Sequence, residues 1–173
     1  MGKDGACSGA AALQNIPVKP VKGIIMIIWF AADFKKLIAL GRNYPWPEPK
    51  GCLRCKGCRL WGHGFVLAFF DGWDQAVEIK RFRCPDCDCV HRFRPEGYFE
   101  RFQTDIATIR SSIEIKAQTG KWSAGIGRTR QGHWFRPLVR KIKARLTDTW
   151  NQGILAAFDE LVERGLVPVS RSI

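Results

Sequence analysis

The sequence predicts an α+β chain, with a small antiparallel β unit first and an all-α region after it. Three observations carry this. Six of the seven cysteines fall in two short clusters, Cys52/Cys55/Cys58 and Cys84/Cys87/Cys89, with Cys7 alone near the start. Apolar, β-rich runs lie between and just after the clusters, and beyond residue 100 the pattern turns helical. At 173 residues the chain suits one compact domain or two small ones.

Residues 1–25 read as a disordered extension, and Met26 offers an alternative start of translation. The stretch "GIIMIIWFAA" (23–32) is apolar but only about ten residues long before Asp33, well short of the roughly 20 that a membrane-spanning helix needs. Lys19 and Lys22 precede it as they would a signal-peptide core, yet no small-x-small cleavage site follows. Continued at helical spacing by "FAADFKKLIAL", it reads as a short packing helix. A cytoplasmic chain without membrane attachment is expected. In "YPWPEPKG", Pro45, Pro47 and Pro49 enforce an extended lead-in that completes a segment over 26–50.

Residues 51–99 hold both cysteine clusters. Between them, "FVLAFF" (65–70) and "AVEIKRF" (76–82) flank a turn at Asp71-Gly72, which indicates a hairpin. "CVHRF" (89–93) supplies a third short strand. Clustered C-x-x-C pairs read as metal knuckles and not as a disulfide framework, which would be spread along a secreted chain. Zinc takes four N or S ligands in a tetrahedron, and two C-x-x-C turns deliver four with little strain. Cys52/Cys55/Cys84/Cys87 is the favoured set, with Pro85 fixing the second turn and Asp88 tolerating positive φ after its last ligand; Lys56-Gly57 stands in the matching place. Arrangements that use Cys58 or Cys89, or His63 or His91 as substitute ligands, remain alternatives. Four sulfurs leave no position for water, so one structural zinc is expected and no catalytic metal. A redox dithiol would leave the second pair unexplained.

Residues 100–173 predict a helix-turn-helix region with a C-terminal helix. Thr104 or Asp105 caps a helix carrying Ile106, Ile109 and Ile113 and closed by Gly120. "KWSAGIG" suggests a brief helix capped by Ser123, and a longer basic helix follows from a cap at Thr129. On the basic helix Phe135, Leu138, Val139, Ile142 and Leu146 share one face, while Pro137 is expected to kink it near Trp134. Its N-terminal end gathers Arg128, Arg130, Gln131 and His133, where a recognition helix reaches base edges; Arg136, Arg140, Lys141 and Lys143 further along suit phosphates. An amphipathic stretch over 149–164, with Trp150, Ile154, Phe158 and Leu161, ends at Gly165.

Lys+Arg 28 against Asp+Glu 16 leaves a formal +12, and about +10 once four thiolates and a zinc ion are counted. This excess favours a polyanion, nucleic acid first. "YPWPEPKGCLRC", "RLWGHG" and "KRFRCPDCDCVHRFRP", together spanning roughly residues 44–145, resemble small bacterial zinc-ribbon proteins that look like the DNA-binding part of insertion-element transposases. The resemblance implies a zinc ribbon on Cys52, Cys55, Cys84 and Cys87 and a helix-turn-helix ending near Arg128 to Arg145. It implies no activity of its own, and the reading it favours is a DNA-binding module that acts alone or as an accessory to a separately encoded transposase or integrase. A transposase enzyme would need three metal-binding carboxylates on a further α/β core, for which neither the acidic residues nor the length suffice. The expectation is therefore a zinc-dependent DNA-binding protein without enzymatic activity. The alternative is an RNA- or ribosome-associated zinc protein that stacks bases on Trp61, Phe69 and Trp73 beside "KRFR".

Overall fold

The computed structural model describes residues 25–146 and 150–171. The extension expected over 1–25 lies, except for Ile25, outside these residues, as do Cys7 and Thr149. The fold is mixed α+β and divides into two compact units. One runs to Ala68 and resumes at Ala76–Glu96; the other takes Phe69–Gln75 and everything from Gly97 onward.

The first unit is a four-stranded sheet in the order β1-β4-β3-β2. β1 (Ile25–Phe30) is followed by α1 (Phe34–Leu40), then β2 (Trp61–Ala68), β3 (Val77–Arg83) and β4 (Val90–Pro95). β2, β3 and β4 pair antiparallel, whereas β1 lies parallel to β4 with Ile27 opposite Arg92. The packing helix expected from "GIIMIIWFAA" is therefore corrected to a strand, and only the following segment is helical. Ile25, Ile27 and Ile28 are β-branched and stiff at χ1, which disfavours a helix, and a short apolar run looks alike in either state until its neighbour is known. Asp33 begins α1 by accepting the Lys36 amide at 3.2 Å.

One face of the sheet carries an aromatic core. Phe93 at its centre meets Phe30 at 5.3 Å, Phe82 at 5.5 Å and Trp46 at 5.7 Å between ring centroids. The proline-rich lead-in thus has a structural purpose: it lays Trp46 against Phe30, Phe65 and Phe93. Offset and edge-to-face rings of this kind contribute about 0.5–1.5 kcal/mol per pair beyond area burial.

The second unit packs three helices, α2 (Ile106–Thr119), α3 (Arg128–Arg145) and α4 (Gly153–Glu163), around Ile109, Ile113, Trp134, Leu138, Phe158 and Leu161. Asp105 caps α2 by accepting the Thr108 amide at 2.8 Å, and Gly120 ends it in the left-handed conformation at φ 71°. The brief helix expected in "KWSAGIG" does not form; residues 121–127 are turns and bends. Pro137 does not interrupt α3, which runs unbroken from Arg128, and its first cap is Gly127 rather than Thr129. Among the described residues no helix is long and apolar enough to cross a membrane.

Arg110 on α2 grips Asp159 on α4 through two hydrogen bonds of 2.8 Å. These bonds hold the Asp159 carboxyl below its ordinary 3.8, against the opposing effect of burial. A depressed carboxylate contributes stability that is present above its unfolded value and lost as the pH falls through its folded one. Thermal melts should therefore show wild type losing more stability than Asp159→Asn on acidification below about pH 4. Identical pH dependence in both would rule the bridge out as a contributor.

Candidate metal centre and basic surface

Two short turns with the same hydrogen bonding face each other at one end of the sheet. In the first, the Cys52 amide donates to Gly57 O at 2.8 Å and the Lys56 amide to Cys52 O at 3.0 Å. In the second, the Cys84 amide donates to Cys89 O and the Asp88 amide to Cys84 O, both at 3.0 Å. Each turn places the residue after its second cysteine at positive φ, Lys56 at 62° and Asp88 at 57°. Asp suits that conformation better than most residues, whereas a lysine there accepts strain. The second turn joins β3 to β4 directly, so the strand register positions two of the sulfurs.

The Sγ atoms of Cys52, Cys55, Cys84 and Cys87 all lie within 4.8 Å of one another. Cys52 and Cys87 are 3.6 Å apart, and Cys55 and Cys84 3.5 Å. A tetrahedron of thiolates around zinc, with metal–sulfur bonds near 2.3 Å, has edges of about 3.8 Å. The four sulfurs therefore fit one metal ion, and they are the set favoured by their spacing. Cys58 and Cys89 stay outside the set. Cys89 is buried and packs with Cys52 and Cys84 as a small apolar side chain, its core completed by Met26 and Leu60.

Sequence reasoning left one contributor unassigned. His91 on β4 is completely buried, and its Nε2 accepts the Leu53 amide at 3.1 Å. That bond ties the first knuckle to the sheet, and burial pushes the pKa of the imidazole below its ordinary value. The position was legible only as a possible ligand, because its partner lies 38 residues away in sequence.

The sulfurs differ in acidity. Burial pushes the Cys52 thiol up, but the Cys55 and Arg54 amides that donate to its sulfur at 3.4 Å, together with its contacts to the Cys55 and Cys87 thiols, bring it down to about 7. Burial pushes the Cys55 thiol up to about 12. Metal ligation requires thiolates, so uptake must release protons and affinity must fall with pH. Adding zinc to the metal-free chain in weak buffer should acidify the solution, and the dissociation constant should rise steadily from pH 8 to pH 5. PH-independent affinity would contradict ligation by these thiols.

The second unit carries a basic surface. No Asp or Glu occurs over residues 115–147, which hold nine Lys and Arg. Arg128, Thr129, His133, Arg136 and Arg140 line one groove of about 450 Å³ along the outer side of α3, with Trp122 and Pro137 as its apolar part. Lys116 lies over the Trp122 ring at 4.6 Å, adding a cation at its edge. Lys143 is exposed further along the helix.

Three residues expected among the DNA contacts are engaged elsewhere. Gln131 is 1% exposed: its Oε1 accepts from Ser112 Oγ and the Ser123 amide, and its Nε2 donates to Ser123 O and Ile126 O. It cannot present its amide to a base, and it is corrected to a structural residue. Arg130 pairs with Asp71 at 2.9 Å. Lys141 donates to the carbonyls of Val167 and Val169, and burial lowers its pKa. The one-face helical pattern concealed this, because the packed side of α3 is wider than its aliphatic stripe and includes Gln131 and Trp134. Comparison with models of protein families, with curated proteins and with solved structures finds no match.

Proposed function

We propose that the chain is a zinc-dependent DNA-binding protein, in which a structural zinc ion on Cys52, Cys55, Cys84 and Cys87 stabilises the sheet unit and the outer face of α3 receives duplex DNA. The observation that carries the DNA reading is the groove formed by Arg128, His133, Arg136 and Arg140, which no carboxylate lines. Guanidinium groups there supply phosphate contacts, and Thr129 and His133 add hydrogen-bonding groups on the same face. The zinc reading rests on an all-thiolate set, which suits a closed structural site and offers no open position for catalysis. The sequence resemblance over residues 44–145 extends this to service beside a separately encoded transposase or integrase.

Salt titrations of duplex binding test the reading. Arg136→Ala and Arg140→Ala should each weaken binding and reduce the salt slope by about one phosphate contact. Lys141→Ala should leave the slope unchanged and act through stability, since its ammonium is bonded to backbone carbonyls. Unchanged affinity and slope in the Arg136→Ala/Arg140→Ala double variant would remove α3 as the DNA surface.

A further inference from the structure

On the sheet face opposite the aromatic core, two arginines stand directly across from one another, Arg81 on β3 and Arg92 on β4. Like charges at opposed positions on one face repel. Both side chains are half-buried, and the Nε atom of each is buried without a hydrogen-bond partner. Among the described residues neither guanidinium meets a carboxylate. Burial, and then the charge of Arg81, lower the proton affinity of Arg92. Three carboxylates of this unit are committed elsewhere, Glu78 to Arg42, Asp86 to Arg59 and Asp88 to Arg83. A half-buried, uncompensated pair of cations costs free energy in the absence of an anion.

The surroundings leave room for one. β2 bulges opposite Arg81, where His63 and Gly64 face a single residue. Gly64 adopts φ +69°, and a Cβ built there would have Arg81 Nη2 as its nearest neighbour, at 3.9 Å. The guanidinium therefore lies beside a position without a side chain. The next row across the same face holds Ile25, Val90, Arg83 and Trp61. Trp61 is 60% exposed and Ile25 55%. An exposed indole one row from an unneutralised cation pair matches two demands of an unpaired nucleotide: an anionic phosphate and a base face to cover. Duplex bases are already stacked on each other and offer no such face.

We propose that Arg81 and Arg92 bind a backbone phosphate of single-stranded nucleic acid, with an adjacent base stacked on Trp61. This site is separate from the α3 groove and belongs to the sheet unit alone.

The test uses fluorescence anisotropy of a labelled thymidine decamer, read in an Arg136→Ala/Arg140→Ala chain so that the fate of the α3 reading does not bear on it. Arg92→Met should weaken decamer binding about tenfold and lower the salt slope by about 0.7, the value for one phosphate of a single strand. Trp61→Ala should weaken the decamer about tenfold but leave an abasic decamer unaffected. The melting temperature of Arg92→Met should equal or exceed that of the parent, because a like-charge contact is relieved. A lowered melting temperature with unchanged decamer affinity would make the pair structural and overturn the proposal. Displacement of the decamer by inorganic phosphate at equal phosphate concentration would also overturn it, by showing a simple anion site.

Discussion

Replacing Cys84 with serine is expected to release the metal and unfold the sheet unit. Cys84 is fully buried at the junction of β3 with the second knuckle, and its sulfur sits 3.5 Å from that of Cys55. The apparent binding free energy of a structural zinc site is about 10–16 kcal/mol at neutral pH, comparable to or larger than the whole stability of a typical domain, about 5–15 kcal/mol. Among the described residues the unit has a four-stranded sheet, one short α-helix, a 3-10 turn at Gly41–Asn43 and an aromatic layer to set against the loss. Metal analysis should find one zinc per wild-type chain and none in Cys84→Ser, with loss of the near-ultraviolet signal of Trp46. Cys89→Ser should keep the metal, since Cys89 contributes packing and not ligation. Full metal content in Cys84→Ser, or its loss in Cys58→Ser with retention in Cys52→Ser, would show the ligand set to be wrong.

Gln131→Ala is expected to destabilise the helical unit by about 3 kcal/mol, because it strands several buried polar groups at about 1–3 kcal/mol each, partly relieved by water reaching the loop. The amide of Gln131 satisfies Ser112, both backbone groups of Ser123 and the Ile126 carbonyl, and so holds the 121–127 loop between α2 and α3. For a unit of this size the loss corresponds to a fall in melting temperature of about 15 °C. Gln131→Glu should fail similarly, since a carboxylate cannot donate to Ser123 O and Ile126 O. A base-reading glutamine behaves differently: its alanine variant would melt normally and lose preference for one DNA sequence. That outcome would return Gln131 to the DNA interface.

These two experiments fall on either side of what the sequence alone determines. The four clustered cysteines were legible because a knuckle is a local object: two thiols three residues apart, a proline after the first in Cys84-Pro85, and Asp88 at a position that needs positive φ. The caps of α2 at Asp105 and Gly120 and the antiparallel hairpin were legible for the same reason. Their signals lie within a few residues of the structure they specify.

Tertiary structure alone decided the rest. Residues 25–30 became a strand because β4 offered a parallel edge 65 residues later, as Ile25 opposite Val90 shows, and no local pattern carries a partner at that separation. Gln131 lies within a basic run and reads as surface until α2 and the following loop close over it. His91 holds the first knuckle only because β4 places it under Leu53. Arg81 and Arg92 became an opposed pair through strand register, which sets every facing partner at once and which neither segment encodes by itself.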